Sequence, residues 1–87
     1  PRLHGPLAVT VEAYMPIPRS WPKKWKAQAL AGEMRPTGRP DADNILKCVA
    51  DACNGILWED DAAIVEAHVY KHYSAEPRTV IEVRALC

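Results

Sequence analysis

Arg39-Pro40-Asp41-Ala42-Asp43-Asn44-Ile45-Leu46-Lys47 opens a segment that runs through Asp51-Ala52-Cys53-Asn54-Gly55 to Trp58-Glu59-Asp60-Asp61. Within it Ile45, Leu46, Val49, Ala50 and Cys53 recur at helical spacing. The pattern predicts an amphipathic helix that buries those side chains and needs a partner surface to cover them. Asp41 or Asp43 can cap its start, and Asn54-Gly55 reads as its stop. Asp41, Asp43, Asp51, Asp60 and Asp61 crowd into this one stretch, with Lys47 the basic residue in their midst. Like charges repel, so a fold that gathers carboxylates normally needs a cation to hold them. Hard divalent ions such as Mg²⁺ bind through one or two carboxylates plus water and substrate phosphate, so magnesium-dependent phosphodiester chemistry is the first reading to test.

Outward from the helix, the flanks supply the partner surface. Leu7, Val9, Val11, Ala13 and Met15 alternate with Thr10, Glu12 and Tyr14, the period of a half-buried strand. Pro16, Pro18 and Pro22 break that pattern. Trp21 to Ala31 then predicts a short helix, capped by Ser20, tolerating Pro22 in its first turn and stopping at Gly32. Beyond the acidic turn, Val65, Ala67 and Val69 alternate with Glu66, His68 and Tyr70. After a turn at Ser74-Ala75-Glu76-Pro77, Ile81, Val83 and Ala85 alternate with Glu82 and Arg84, and the last two strands are expected to form a hairpin. The expected fold is α+β in two layers, a mixed or antiparallel sheet covered on one face by two helices, with residues 1–87 forming one domain.

Composition narrows the function classes. Apolar residues at 48% and charged residues at 25% describe an ordinary soluble chain, and no apolar run reaches the length of a membrane span. Cys48, Cys53 and Cys87 form no metal-type Cys-x-x-Cys pair. Cys48 and Cys53 fall in the apolar helix pattern and are expected as buried free thiols in a reducing cytoplasm. His68 and His72 share a strand face, yet no third nitrogen or thiolate is placed to complete a zinc site. Net charge is zero but unevenly spread. Residues 1–40 carry seven Lys/Arg against two Glu, and residues 41–66 carry one Lys against seven acids. A basic arm beside an acidic cluster suits an enzyme that attracts a polyanion and cuts it at a metal site; self-complementary charged faces fit equally well.

The Pro-Asp-x-Asp-Asn-x-x-Lys helix start (Pro40 to Lys47), the Asp-x-x-Asn-Gly end (Asp51 to Gly55) and the paired Asp60-Asp61 resemble the signature of the RusA family of Holliday-junction resolvases. Met15-Pro16-Ile17-Pro18-Arg19-Ser20-Trp21 and Lys71-His72-Tyr73 resemble further family segments. The resemblance covers most of residues 7–84; Cys53 and Ala42 depart from the usual larger apolar residues without touching the carboxylates. It implies a Mg²⁺-dependent endodeoxyribonuclease, with Mn²⁺ as a substitute ion, that cuts four-way DNA junctions symmetrically as a homodimer in recombination and repair. Carried over by position, Asp41, Asp43 and Asp61 would bind the metal and Lys47 would stabilise phosphoryl charge. Asp60 is expected to cap a turn or face solvent. Lys23, Lys24, Lys26, Arg35, Arg39 and Lys71 are the expected DNA contacts, and Trp21 with Trp25 can either stack on bases or pack a helix edge. Family members begin with a strand that precedes the start of this sequence, so a truncated N-terminus is expected. The alternative function is a DNA-binding module with impaired catalysis; a metal-free interaction domain is a third.

Overall fold

The computed structural model describes residues 2–86, so Pro1 and Cys87 lie outside the description. Strand β1 (Leu7–Pro16) is followed by helix α1 (Lys23–Leu30), helix α2 (Ala42–Cys53), a 3₁₀ turn (Asp61–Ala63), strand β2 (Ile64–Ser74) and strand β3 (Arg78–Ala85). The strands form one mixed sheet in the order β2-β1-β3. β1 runs parallel to β2, with Val11 opposite Val69, and antiparallel to β3, with Val11 opposite Ile81. The fold is α+β, as the sequence pattern implies.

The expected hairpin does not form. β2 and β3 are consecutive and antiparallel, yet β1 lies between them. Residues 75–77 cross over the end of β1, where Pro16 pairs with Ser74 and Tyr14 with Arg78. Two strand spacings amount to about 9.6 Å, which three residues can bridge in a nearly extended path. A short turn therefore fits either arrangement. β1 decides between them, because it is the most buried strand and both of its edges need hydrogen-bond partners.

The side chains of Leu7, Val9 and Val11 are fully buried on one face of β1, and Ala13 nearly so. Against them pack Ile45, Val49 and Cys53 of α2, at the predicted spacing, together with Trp58. Each fully buried aliphatic side chain contributes about 1.5–3 kcal/mol relative to exposure. α2 stops where expected: Asn54 caps it in extended backbone and Gly55 turns at φ 78°, a conformation that favours glycine. A register shift between Leu7 and Ala8 skips Val65, which is left exposed, so that Ile64 keeps the core face while Glu66 takes the opposite one.

α1 begins two residues later than the pattern predicts. Pro22 occupies the N-cap position, Ser20 makes no cap, and of the helix only Ala29 is buried. With a single buried side chain this helix draws little from the core. It is held beside β2 instead, by Trp21 against Tyr73 (ring centroids 5.2 Å apart) and by Arg35 Nε donating 2.9 Å to the Lys71 carbonyl. Cys48 also departs from expectation: it lies on the exposed side of α2, and only Cys53 is buried.

Replacing Leu7 by alanine should cost about 2–5 kcal/mol in urea unfolding at constant m-value, the range for a buried leucine. Ile81→Ala, on an edge-strand side chain 38% exposed, should cost less than half as much. Equal losses would mean that the core is not centred on β1.

Candidate active site

Asp41 is the N-cap of α2, in extended backbone (φ −69°, ψ 155°), but its carboxylate makes no cap hydrogen bond. An aspartate at this position ordinarily spends its side chain on the N–H groups of the first turn. Here the carboxylate is free and exposed, and so is that of Asp43, one turn before Lys47. The ordinary surface pairing of Asp43 with Lys47 is absent. The ion pairs among the described residues are Arg2–Glu59, His68–Glu66 and His72–Glu12, and none engages Asp41, Asp43, Asp61 or Lys47.

Asp61 is built differently. Trp58 is fully buried beneath the end of α2, and its indole Nε1–H donates a 2.7 Å hydrogen bond to Asp61 Oδ1. A buried indole has to satisfy its N–H, so core packing and carboxylate placement are coupled here. The adjacent Asp60 turns the other way and accepts the Ala62 N–H at 2.9 Å, capping the 3₁₀ turn as expected. Asp51 is exposed near the helix end, and Asn44 lines a shallow apolar pocket with Ala13, Met15 and Pro40.

The acids fall into two groups at opposite ends of the domain. Pro40 and Asn44 adjoin Met15 and Thr79, and the Lys71 ammonium donates to the Gly38 carbonyl, which fixes Asp41 and Asp43 at the far end of β1. Asp61 precedes Ile64, the residue paired with Leu7 at the near end. α2, running back along the sheet, separates them by roughly 18 Å at 1.5 Å per residue. Among the described residues no three His, Cys, Asp or Glu side chains stand close enough to hold a metal ion. The donor chemistry suits a hard divalent cation, since these are carboxylates without basic partners. One chain by itself does not gather Asp41, Asp43 and Asp61 around one ion.

The expected DNA contacts also divide. Lys23, Lys24 and Arg39 are exposed, and Lys26 is half-buried against the surface beside α1. Arg35 and Lys71 lace the 35–38 loop to β2, each donating to a backbone carbonyl of the other segment. Of the tryptophans, Trp21 packs between Trp25 and Tyr73, while Trp25 remains 46% exposed. His72 stacks on Tyr14 with ring centroids 5.0 Å apart, and the Arg78 guanidinium lies over the Tyr14 ring at 4.0 Å. Sequence reasoning missed the role of Trp58; the Trp58-x-x-Asp61 spacing, one apolar ring three residues before an acid, was the available signal.

A double-mutant cycle with Trp58→Phe and Asp61→Asn should give a coupling of about 0.5–1.5 kcal/mol, the net worth of one hydrogen bond. Phenylalanine keeps most of the apolar volume, so additive losses would show that the indole does not hold the carboxylate.

The family model described as Endodeoxyribonuclease RusA matches residues 1–84. The uncharacterized protein YqaN of Bacillus subtilis (strain 168) is 43% identical over 82 residues, which are 92% of this chain and 58% of that protein. The chain thus spans less than two thirds of that relative's length. No solved structure matches it. With the Pro40–Lys47 helix start, the Asn54-Gly55 stop and the Asp60-Asp61 pair each in its structural place, and a match over nearly the whole sequence, the chain belongs to the RusA endodeoxyribonuclease family.

Proposed function

We propose that this chain resolves four-way DNA junctions by Mg²⁺-dependent hydrolysis of phosphodiester bonds, working as a two-fold homodimer. The observation that carries the reading is the unspent carboxylate of Asp41 at the helix mouth, beside an equally unpaired Asp43 with Lys47 one turn on. A protein that only bound DNA would gain from neutralising those charges, which repel phosphate. The family supports nuclease activity on DNA, and four-way junctions as substrate follow from the resemblance.

If Asp41, Asp43 and Asp61 all serve one ion, their separation requires that they come from two chains. A two-fold dimer that sets the Asp41/Asp43 end of one protomer against the Asp61 end of its partner makes two identical sites. Two sites related by a two-fold axis suit a junction that is itself nearly two-fold. In each site Asp41, Asp43 and the partner's Asp61 would hold Mg²⁺. When bound, the ion supplies Lewis-acid polarisation of the phosphoryl oxygen and activation of water. The protein's own part is to fix the carboxylates, Asp61 through the Trp58 indole and Asp41 through the helix start. Lys47 projects free from α2 and would offset charge that grows on the phosphoryl oxygens.

The same separation favours a second reading, a junction-binding chain without catalysis. Mixing variants decides between them. Asp41→Asn/Asp43→Asn and Asp61→Asn should each abolish cleavage of a synthetic junction alone while retaining junction binding. Mixed and allowed to exchange subunits, they should recover single-strand nicking, because one of the two shared sites is then fully wild type. No recovery would show that the acids do not act across the dimer. Turnover in either variant alone would remove its residues from the metal site.

Lys47→Ala should melt within a few degrees of the parent, because an unpaired exposed lysine contributes little stability. Its single-turnover cleavage rate at saturating Mg²⁺ should fall at least about 100-fold, the scale of one missing transition-state interaction. An unchanged rate would return Lys47 to the solvent.

A further inference from the structure

Between α1, the connection that follows β1 and the β2–β3 crossover lies a surface groove of about 430 Å³. Its walls are Ile17, Leu30 and Pro77, its cations are Arg19 and Lys26, and Ser74 adds a hydroxyl; among the described residues no acidic side chain lines it. Two features set it apart from an ordinary surface fold. First, Arg19 makes no ion pair or side-chain hydrogen bond among the described residues, so its guanidinium is unspent. Lys26 stands in the same groove on α1, one turn before Leu30. Secondly, the groove sits at the Pro16–Ser74 end of the sheet, adjoining Met15, and Met15 shares a pocket with Pro40 and Asn44 at the mouth of α2. The groove therefore lies toward the same end of the sheet as the start of α2.

We propose that this groove is a nucleotide subsite, seating one unpaired nucleotide of the bound DNA, with Arg19 and Lys26 on its phosphate and Leu30 and Ile17 against its sugar and base. The inference rests on the reading of the chain as a DNA nuclease and adds to it a positioning site outside the carboxylate cluster. Charge selects the occupant: two cations in a lining that holds no acidic side chain among the described residues, set around an apolar wall, match a phosphate joined to an apolar-faced sugar and base. Shape selects an unpaired one. A concave groove of this size admits a flexible nucleotide, whereas a rigid duplex would ride over its rim. In an open four-way junction the base pairs at the crossover lack a stacking neighbour on one side and unpair at lower cost than pairs inside a duplex, so a site for an unpaired nucleotide favours branched over linear DNA. It also accounts for α1, which buries only Ala29 yet is held at the sheet edge by Trp21 and Arg35 and so keeps Lys26 and Leu30 in place.

The test is fluorescence anisotropy in EDTA with a labelled synthetic four-way junction, a linear duplex of the same arms, and a short oligo(dT), each titrated over a range of salt. Arg19→Glu/Lys26→Glu should weaken junction and oligo(dT) binding by at least about tenfold and change duplex binding much less. It should also flatten the slope of log affinity against log salt by about 1.4–1.8, because two phosphates are no longer neutralised. Arg19→Lys/Lys26→Arg, which keeps both charges, should stay within about threefold of the parent, and thermal melts of both variants should match it, since neither residue is in the core. Junction and oligo(dT) affinities unchanged in the charge-reversed protein would overturn the subsite while leaving the nuclease reading intact. Oligo(dT) binding that depends on both residues, in a chain that cuts no junction in Mg²⁺, would sink the nuclease reading and leave the subsite standing. Equal loss on duplex and junction would also overturn it, because the cations would then engage phosphates of any DNA alike.

Discussion

Every backbone hydrogen bond between strands in this protein's sheet passes through β1. β2 pairs with it on one edge and β3 on the other, and neither pairs with anything else in the sheet. That constraint makes Leu7–Pro16 the element whose burial is most complete, with Leu7, Val9 and Val11 at zero exposure, while the edge strands keep much of their apolar surface in water. It also sets the direction of everything else. α2 has to lie along β1 to bury Ile45, Val49 and Cys53, so its two ends are carried to the two ends of the sheet. Losing β1 would leave β2 and β3 about 9.6 Å apart with no partner.

From that geometry comes the division of the acidic residues. Asp41 and Asp43 travel with the start of α2, and Asp61 with the start of β2, toward opposite ends of the sheet and roughly 18 Å apart by the length of the helix between them. The two groups are held by different physics. The carboxylate of Asp41 is left free at a helix N-terminus, where the helix dipole offsets its charge and no basic side chain neutralises it. Asp61 is tied to the core through a tryptophan that is wholly buried and whose N–H requires an acceptor. Such an arrangement keeps both groups stable in isolation, because the charges that would repel one another stand apart. In the proposed dimer their meeting would be a property of assembly, coupled to a second protomer and a cation.

Basic side chains are also sorted by the fold. Arg35 and Lys71 lie 36 positions apart in the sequence, but the structure uses both to lace the 35–38 loop to the outer strand. That lacing positions the Arg39-Pro40 approach to α2 and thereby the orientation of Asp41. Arg19, which the charge pattern did not single out, ends in an open groove with its guanidinium unspent. A cation's worth to a polyanion depends on what else competes for it, and in this chain backbone carbonyls compete for Arg35 and Lys71 but not for Arg19.

Local order was largely readable from the amino acids alone. The period-two runs of β1, β2 and β3, the 3.6-residue face of α2, its Asn54-Gly55 stop and the capping role of Asp60 all arise from forces between near neighbours in the chain, and each appears where the pattern puts it. The family membership was legible for the same reason, since its signature is a set of short spacings. What the sequence could not decide was which strand stands in the middle, because a three-residue turn fits a hairpin and a crossover equally well. Nor could it show that Asp41 would decline to cap, that Cys48 would face solvent while Cys53 faced the core, or that a tryptophan would hold Asp61. Those are settled by long-range packing around β1, where the burial of one strand fixes the direction of one helix and, with it, the distance between the two groups of acids.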